Sequence, residues 1–276
     1  MFNEEGDSKK TEAVIKRLKK FTRHDFVRIT DRGNSAIFVA IGMAKKVNPR
    51  SNILIPDQGG WMSFKKYPSF FNYHIREVKT DYGVIDLKRL KEQMDNASAL
   101  VLTSFAGYFA EQPIKKIAKI CHDNDCLLIE DASGALGDSK LSKGKYSDII
   151  IGSFGKGTST NYGYGGFVSV DKPEYFDKAK EVFSTIKVHP EFYKEVLPHL
   201  ETKRLKAILA KAEKVKKDLK KFDVLHRDKR GLNVVVKFNT DIIEYCIRNN
   251  YAYILCPNYM RVNEKAISIE LKSIEP

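Results

Sequence analysis

Short apolar runs recur along the first two thirds of the chain. They lie at residues 26–29, 53–55, 74–79, 99–102, 127–129, 149–151 and 165–170. Several are apolar throughout rather than alternating, as strands buried on both faces of a sheet are. Between them lie stretches with apolar residues three and four apart, the period of a half-buried helix. That period predicts helices over residues 8–23, 85–94, 111–123 and 173–185, and one running up to Lys46. For the last of these, Asn34 or Ser35 supplies an N-cap. Residues 189–198 read as irregular, and residues 200–222 as a long basic helix with Leu205, Ile208, Leu209, Ala212, Val215 and Leu219 on one stripe. A smaller unit follows, with strands at 233–238, 251–255 and 266–271 and a helix at 240–249. Strands alternating with helices predict an α/β fold, a three-layer and mainly parallel sheet covered on both faces. The expected division is a large domain over residues 1–190 and a small α+β domain over residues 191–276.

Open sheets of this kind bind ligands beyond the carboxyl ends of their strands. The residues there are distinctive. The run at 127–129 delivers Glu130 and Asp131, and the run at 149–151 delivers Gly152-Ser153-Phe154-Gly155-Lys156-Gly157. The run at 26–29 leads into Gly33, where backbone can approach a phosphate at a helix start. The run at 53–55 leads to a glycine pair and Trp61, the single tryptophan, which can lie flat on an aromatic ligand. Taken singly, each has a plainer reading: an ordinary strand-to-helix turn, a half-buried core tryptophan, a strand-end carboxylate. Together, an acid, a hydroxyl and a lysine suggest a site for an anionic aromatic cofactor.

Three motifs in order make the pattern specific. They are Arg32-Gly33-Asn34-Ser35-Ala36, the stretch from Glu130-Asp131-Ala132-Ser133 to Gly137, and Ser147-Asp148-Ile149-Ile150-Ile151-Gly152-Ser153-Phe154 followed by Gly165-Gly166. The set resembles the DegT/StrS-type pyridoxal-phosphate-dependent sugar aminotransferases, of PLP-transferase fold type I. The resemblance covers most of residues 10–185, and beyond residue 190 the chain is shorter than the usual family C-terminal domain. It implies pyridoxal 5′-phosphate as cofactor. Gly33, Asn34 and Ser35 would hold its phosphate at a helix N-terminus, with Ser153 as a second phosphate ligand. Asp131 would pair with the pyridinium nitrogen and keep the ring an electron acceptor. Trp61 would stack on the ring, and Ser133 and Thr158 belong to the same cofactor-binding set.

Two positions depart from the family pattern. The Schiff-base lysine falls where this chain has Thr158, and the glutamine near the ring hydroxyl falls at Gly134. Lys156 lies two residues before Thr158 and is the candidate catalytic amine. A lysine is needed to form the imine and move the α-proton, and threonine does neither. The family includes a dehydratase branch with histidine in that place. The expected function is therefore transfer of an amino group from an amino acid to a keto sugar nucleotide. The alternative is a catalytically decayed scaffold with a binding or regulatory role. The resemblance also implies a homodimer.

Composition trims this picture. No apolar run is long enough to span a membrane, and the start lacks the basic and apolar regions of a signal peptide, so a cytoplasmic protein is expected. The four cysteines, Cys121, Cys126, Cys246 and Cys256, have no C-x-x-C spacing, so no metal site is expected. The net charge of +13 would suit an enzyme acting on an aminoacyl-nucleic acid. The lysines are spread at helical spacing, however, so a solvated basic surface is the reading preferred and no nucleic-acid partner is expected.

Overall fold

The computed structural model describes residues 4–189 and 191–273. Seven strands build the central sheet: β1 (Phe26–Thr30), β2 (Asn52–Pro56), β3 (His74–Val78), β4 (Ala97–Thr103), β5 (Leu127–Asp131), β6 (Ile149–Ser153) and β7 (Gly166–Val170). Their order is β1-β7-β6-β5-β4-β2-β3. β7 pairs antiparallel with both neighbours, and the remaining pairs are parallel. β2 and β4 are buried at every residue, which is why they read as unbroken apolar runs.

Helix α1 (Glu4–Thr22) and helix α2 (Gly33–Val47) flank the sheet. α2 is buried at Ala36, Ile37 and from Val39 to Ala44, so most of its circumference is apolar. It packs with Ile53, Ile55, Val101, Ile129, Ile151 and Val168 from five strands of the sheet. The other face packs Leu54, Leu100, Leu102 and Leu128 against the helix Ile114–His122. Two helical layers around a mostly parallel sheet match the expected architecture.

Several boundaries differ from the sequence reading. The helix predicted over 173–185 breaks at Ala179 into Pro173–Lys178 and Lys180–Phe183. Residues 189–198, expected to be irregular, include the helix Phe192–Val196 and lead into the 3₁₀ turn Leu197–His199. Phe192 and Val196, one turn apart, bury against Val14 and Leu18 of α1, and this tertiary contact outweighs the weak local signal. The long basic helix expected over 200–222 is shorter, Lys203–Asp218, and the last residue of its stripe, Leu219, is the C-cap.

That helix serves two cores. Leu205 and Ile208 join the cluster on the sheet, while Ala212 and Val215 pack on a three-stranded antiparallel sheet of Val234–Lys237, Ala266–Ile269 and Tyr253–Leu255. Backbone bonds from the N–H groups of Leu232 and Asn233 to the Tyr108 carbonyl fasten this sheet near the carboxyl end of β4.

Among the described residues no helix is long and apolar enough to cross a membrane. The four cysteines are buried free thiols. Among the described residues no three His, Cys, Asp or Glu side chains gather as a metal site would require.

Candidate active site

A cavity of about 250 Å³ opens beyond the carboxyl ends of β1, β2, β5 and β6. Gly33, Asn34, Trp61, Asp131, Ser133, Ser153, Lys156 and Thr158 all line it. Of the candidate catalytic and cofactor-binding residues, Ser35 is the one not on its wall; it sits third in α2.

At one end, Arg32 is fully extended (φ −160°, ψ 166°) and α2 begins at Gly33. Arg32 caps the helix without any side-chain hydrogen bond. The expected caps, Asn34 and Ser35, lie inside the helix instead. The first N–H groups of a fifteen-residue helix therefore face the cavity uncapped, with the positive end of the helix dipole behind them. Gly33 must be glycine. A Cβ there would lie 2.4 Å from Ser153 Cβ and 2.8 Å from Ser153 Oγ. The turns after β1 and β6 close on one another at that point, which brings backbone N–H groups and a serine hydroxyl to one spot.

Asn34 has a different task from capping. Its Oδ1 accepts from Trp61 Nε1 and from Ser63 Oγ, both at 3.0 Å. The indole is thereby held at the wall of the cavity by the second residue of α2.

Asp131 is the last residue of β5 and is 5% exposed. Its Oδ1 accepts from the Ser133 N–H (2.9 Å) and from Ser133 Oγ (2.5 Å). Ser133 Oγ in turn accepts from the Ser153 N–H at 2.9 Å. Both bonds go to Oδ1, leaving Oδ2 to the cavity. Burial pushes the Asp131 carboxyl up from its ordinary range, against the pull of the two Ser133 bonds. A cation placed opposite Oδ2 would reverse that push.

The two departures from the family pattern have local causes. At Gly134 a Cβ would lie 2.9 Å from Leu232 Cδ1 and 3.2 Å from Tyr108 Cδ1. Those side chains occupy the space that a longer residue would use. Gly134→Gln is expected to destabilise the fold by about 1–3 kcal/mol through overpacking. A urea unfolding series checks this; an unchanged midpoint would show that Leu232 and Tyr108 yield freely.

At position 158 the threonine is 6% exposed. Its hydroxyl donates to the Gly155 carbonyl (2.7 Å) and accepts from the Asn161 N–H (3.1 Å). It holds the loop and offers no amine. Lys156, two residues earlier, lines the cavity from an exposed position.

The sequence reading missed the apolar Ile37 and two residues with polar groups on the cavity wall, Tyr108 and Lys272. Tyr108 follows the carboxyl end of β4, so the rule that found Asp131 could have found it. Lys272 had no such signal, since it arrives from the small sheet.

Comparison with known sequences now bears on the site. The DegT/DnrJ/EryC1/StrS aminotransferase family matches residues 6–223. The chain belongs to that family. Its residues 202–276 also match the MJ1341 family C-terminal domain. No curated protein matches the sequence. Among solved structures, the chain is similar to an apo cysteine desulfurase from Thermococcus onnurineus NA1, with TM-score 0.72 and 12% identity over 96% of this chain and 79% of that one. It is similar to ureidoglycine-glyoxylate aminotransferase from Bacillus subtilis, with TM-score 0.70 and 12% identity over 97% and 80%. A 3-amino-5-hydroxybenzoic acid synthase gives TM-score 0.70 and 14% identity over 95% and 85%. At such identities the likeness is one of fold.

Membership of this family makes the cofactor pyridoxal 5′-phosphate and the chemistry of the aminotransferase type. The cavity fits that group on three counts. An uncapped helix start beside Ser153 suits a dianionic phosphate, a carboxylate with a free oxygen suits a pyridinium N–H, and a tethered indole suits the ring face.

Proposed function

We propose that this DegT-type protein transfers an amino group from an amino acid to a keto sugar nucleotide. The observation that carries the reading is the convergence of Gly33, Asn34, Trp61, Asp131 and Ser153 on one cavity at the carboxyl ends of a parallel sheet. When bound, pyridoxal phosphate supplies an electron sink for the substrate carbanion. The protein's residues bind and orient. The N–H groups at the start of α2 and the Ser153 hydroxyl fix the phosphate end. The Asp131 carboxylate keeps a proton on the ring nitrogen, and Trp61 covers one face.

Support for an anionic substrate comes from the neighbourhood. A second cavity of about 680 Å³ borders the same loop at Thr160 and Asn161, and Lys203, Arg204, His199 and one carboxylate, Glu201, line it. A nucleoside diphosphate fits such a cationic groove beside the reacting centre. We propose as well that the protein is a homodimer, following the family habit of completing each site from the partner; size exclusion at the monomer mass would remove that proposal.

The test is a two-substrate assay. The protein loaded with pyridoxal phosphate is given an amino acid and a panel of keto sugar nucleotides, and amino sugar is sought by mass spectrometry. An amino sugar nucleotide above the no-protein control supports the reading. Turnover confined to keto acids, with keto sugars untouched, overturns the substrate assignment.

A further inference from the structure

The loop after β6 presents no amine from position 158, and among the described residues the exposed Lys156 has no hydrogen-bond or ion-pair partner to aim it. The cavity nevertheless has a second lysine on its wall, Lys272. It stands in the 3₁₀ turn Leu271–Ser273, directly after the strand Ala266–Ile269 and Glu270. Its Nζ lies 4.2 Å from the centroid of the Tyr108 ring. A Cβ built on Gly157 (φ +73°) would lie 3.3 Å from the same Nζ, so Lys272 reaches the residue beside Thr158.

The backbone around Lys272 is fixed. Its N–H donates to Asn233 Oδ1 at 3.4 Å. Its carbonyl accepts from Arg204 Nη2 at 2.6 Å, and Arg204 Nε reaches the Thr158 carbonyl at 3.4 Å. One guanidinium thus ties the main chain of Lys272 to that of Thr158. The C-terminal segment carries its lysine to the place where the loop lacks one.

We propose that Lys272 supplies the amine that condenses with the aldehyde of pyridoxal phosphate in this protein. The proposal rests on the cofactor reading of the cavity given above. In the step, the lone pair of unprotonated Nζ attacks the aldehyde carbon and a C–N bond forms. The carbonyl oxygen then leaves as water with the two amine protons, and a C=N bond remains. No oxidant or reductant is needed. The surroundings favour the step. Burial, and then the charge of Arg261, hold the Lys272 ammonium down to about 8, with Glu270 pulling the other way. Desolvation beside a second cation is a known means of making a lysine nucleophilic near neutral pH. The rate of condensation should therefore rise through about pH 8, whereas an ordinary lysine would rise near ~10.4.

The experiment uses the full chain in four forms: wild type, Lys272→Ala, Lys272→Arg and Lys156→Ala. Each is mixed with pyridoxal phosphate, scanned for the yellow imine band, reduced with borohydride and digested for peptide mass analysis. The proposal expects one phosphopyridoxyl group per chain on the peptide containing Lys272. It expects the band lost in both Lys272 variants and kept in Lys156→Ala. A label on Lys156, or a band that survives in Lys272→Arg, overturns it. Pyridoxamine phosphate, which has no aldehyde, separates the two readings. If wild type binds it yet forms no imine, the lysine assignment alone fails; if wild type does not bind it, the cofactor reading fails first.

Discussion

Asp131→Asn lowers the rate of amino-group transfer by roughly 10²- to 10³-fold, the scale for removing one preorganised electrostatic partner of a reacting group. Oδ1 is already held by Ser133 through two bonds, so the amide can keep that acceptor and leave its NH₂ toward the cavity. An NH₂ could not accept a pyridinium N–H, so residue 131 would no longer hold a proton on the ring nitrogen of a bound cofactor. Steady-state assay against wild type checks the rate, and absorbance titration checks cofactor affinity. A variant within threefold of wild type would remove Asp131 from its role, on a scale where tenfold is about 1.4 kcal/mol. Stability moves the opposite way. Burial raises the Asp131 carboxyl in the folded state, so its stabilising share is complete below the unfolded pKa and is lost as pH rises through the folded one. Unfolding of the cofactor-free proteins should therefore show Asp131→Asn gaining on wild type as the pH is raised.

Glu270→Gln costs about 3–5 kcal/mol of unfolding free energy, because it strands a buried guanidinium. Arg261 and Glu270 are 3% and 4% exposed. They form two bonds, Nε to Oε1 at 2.8 Å and Nη2 to Oε2 at 2.7 Å, and Ser268 Oγ adds a third donor to Oε1 at 2.7 Å. Burial pushes the Glu270 carboxyl up, but the Arg261 bonds and charge outweigh it and leave the pKa lowered. The sign is therefore opposite to that of Asp131. The stabilisation is present above the unfolded pKa and is lost as pH falls through the folded one. Urea unfolding at neutral pH measures the loss. The double variant Arg261→Met/Glu270→Leu should lose less than Glu270→Gln alone, since no charge is then left unpaired. Equal losses would mean that the pair contributes by packing only.

The pattern of apolar runs was enough to read the sheet, because buried parallel strands leave few polar interruptions. It also led to Asp131, Trp61 and the Gly33 turn, since each sits where a strand ends. Cap chemistry misled at α2. Asn34 is a good cap by type, but its side chain is committed to Trp61 and Ser63, contacts made across the fold. The stretch 192–199 was missed because its helical signal is one apolar pair whose value depends on α1. Lys272 was illegible for a plainer reason. Nothing in local spacing links it to Thr158, and only the docking of the small sheet on Tyr108 brings the two together. The gap at 158 could be read from sequence, but the side chain that could fill it could not.

The bond between Asn34 and Trp61 has a further consequence. Asn34, the second residue of α2, both lines the cavity at the helix start and holds the indole nitrogen. If the helix start seats a phosphate and the indole covers a ring, as proposed, the span between them is a fixed ruler. A pyridine ring on a phosphate arm of the right length would then meet both marks at once, while a ring lacking the arm, or carrying a longer one, would register with only one of them.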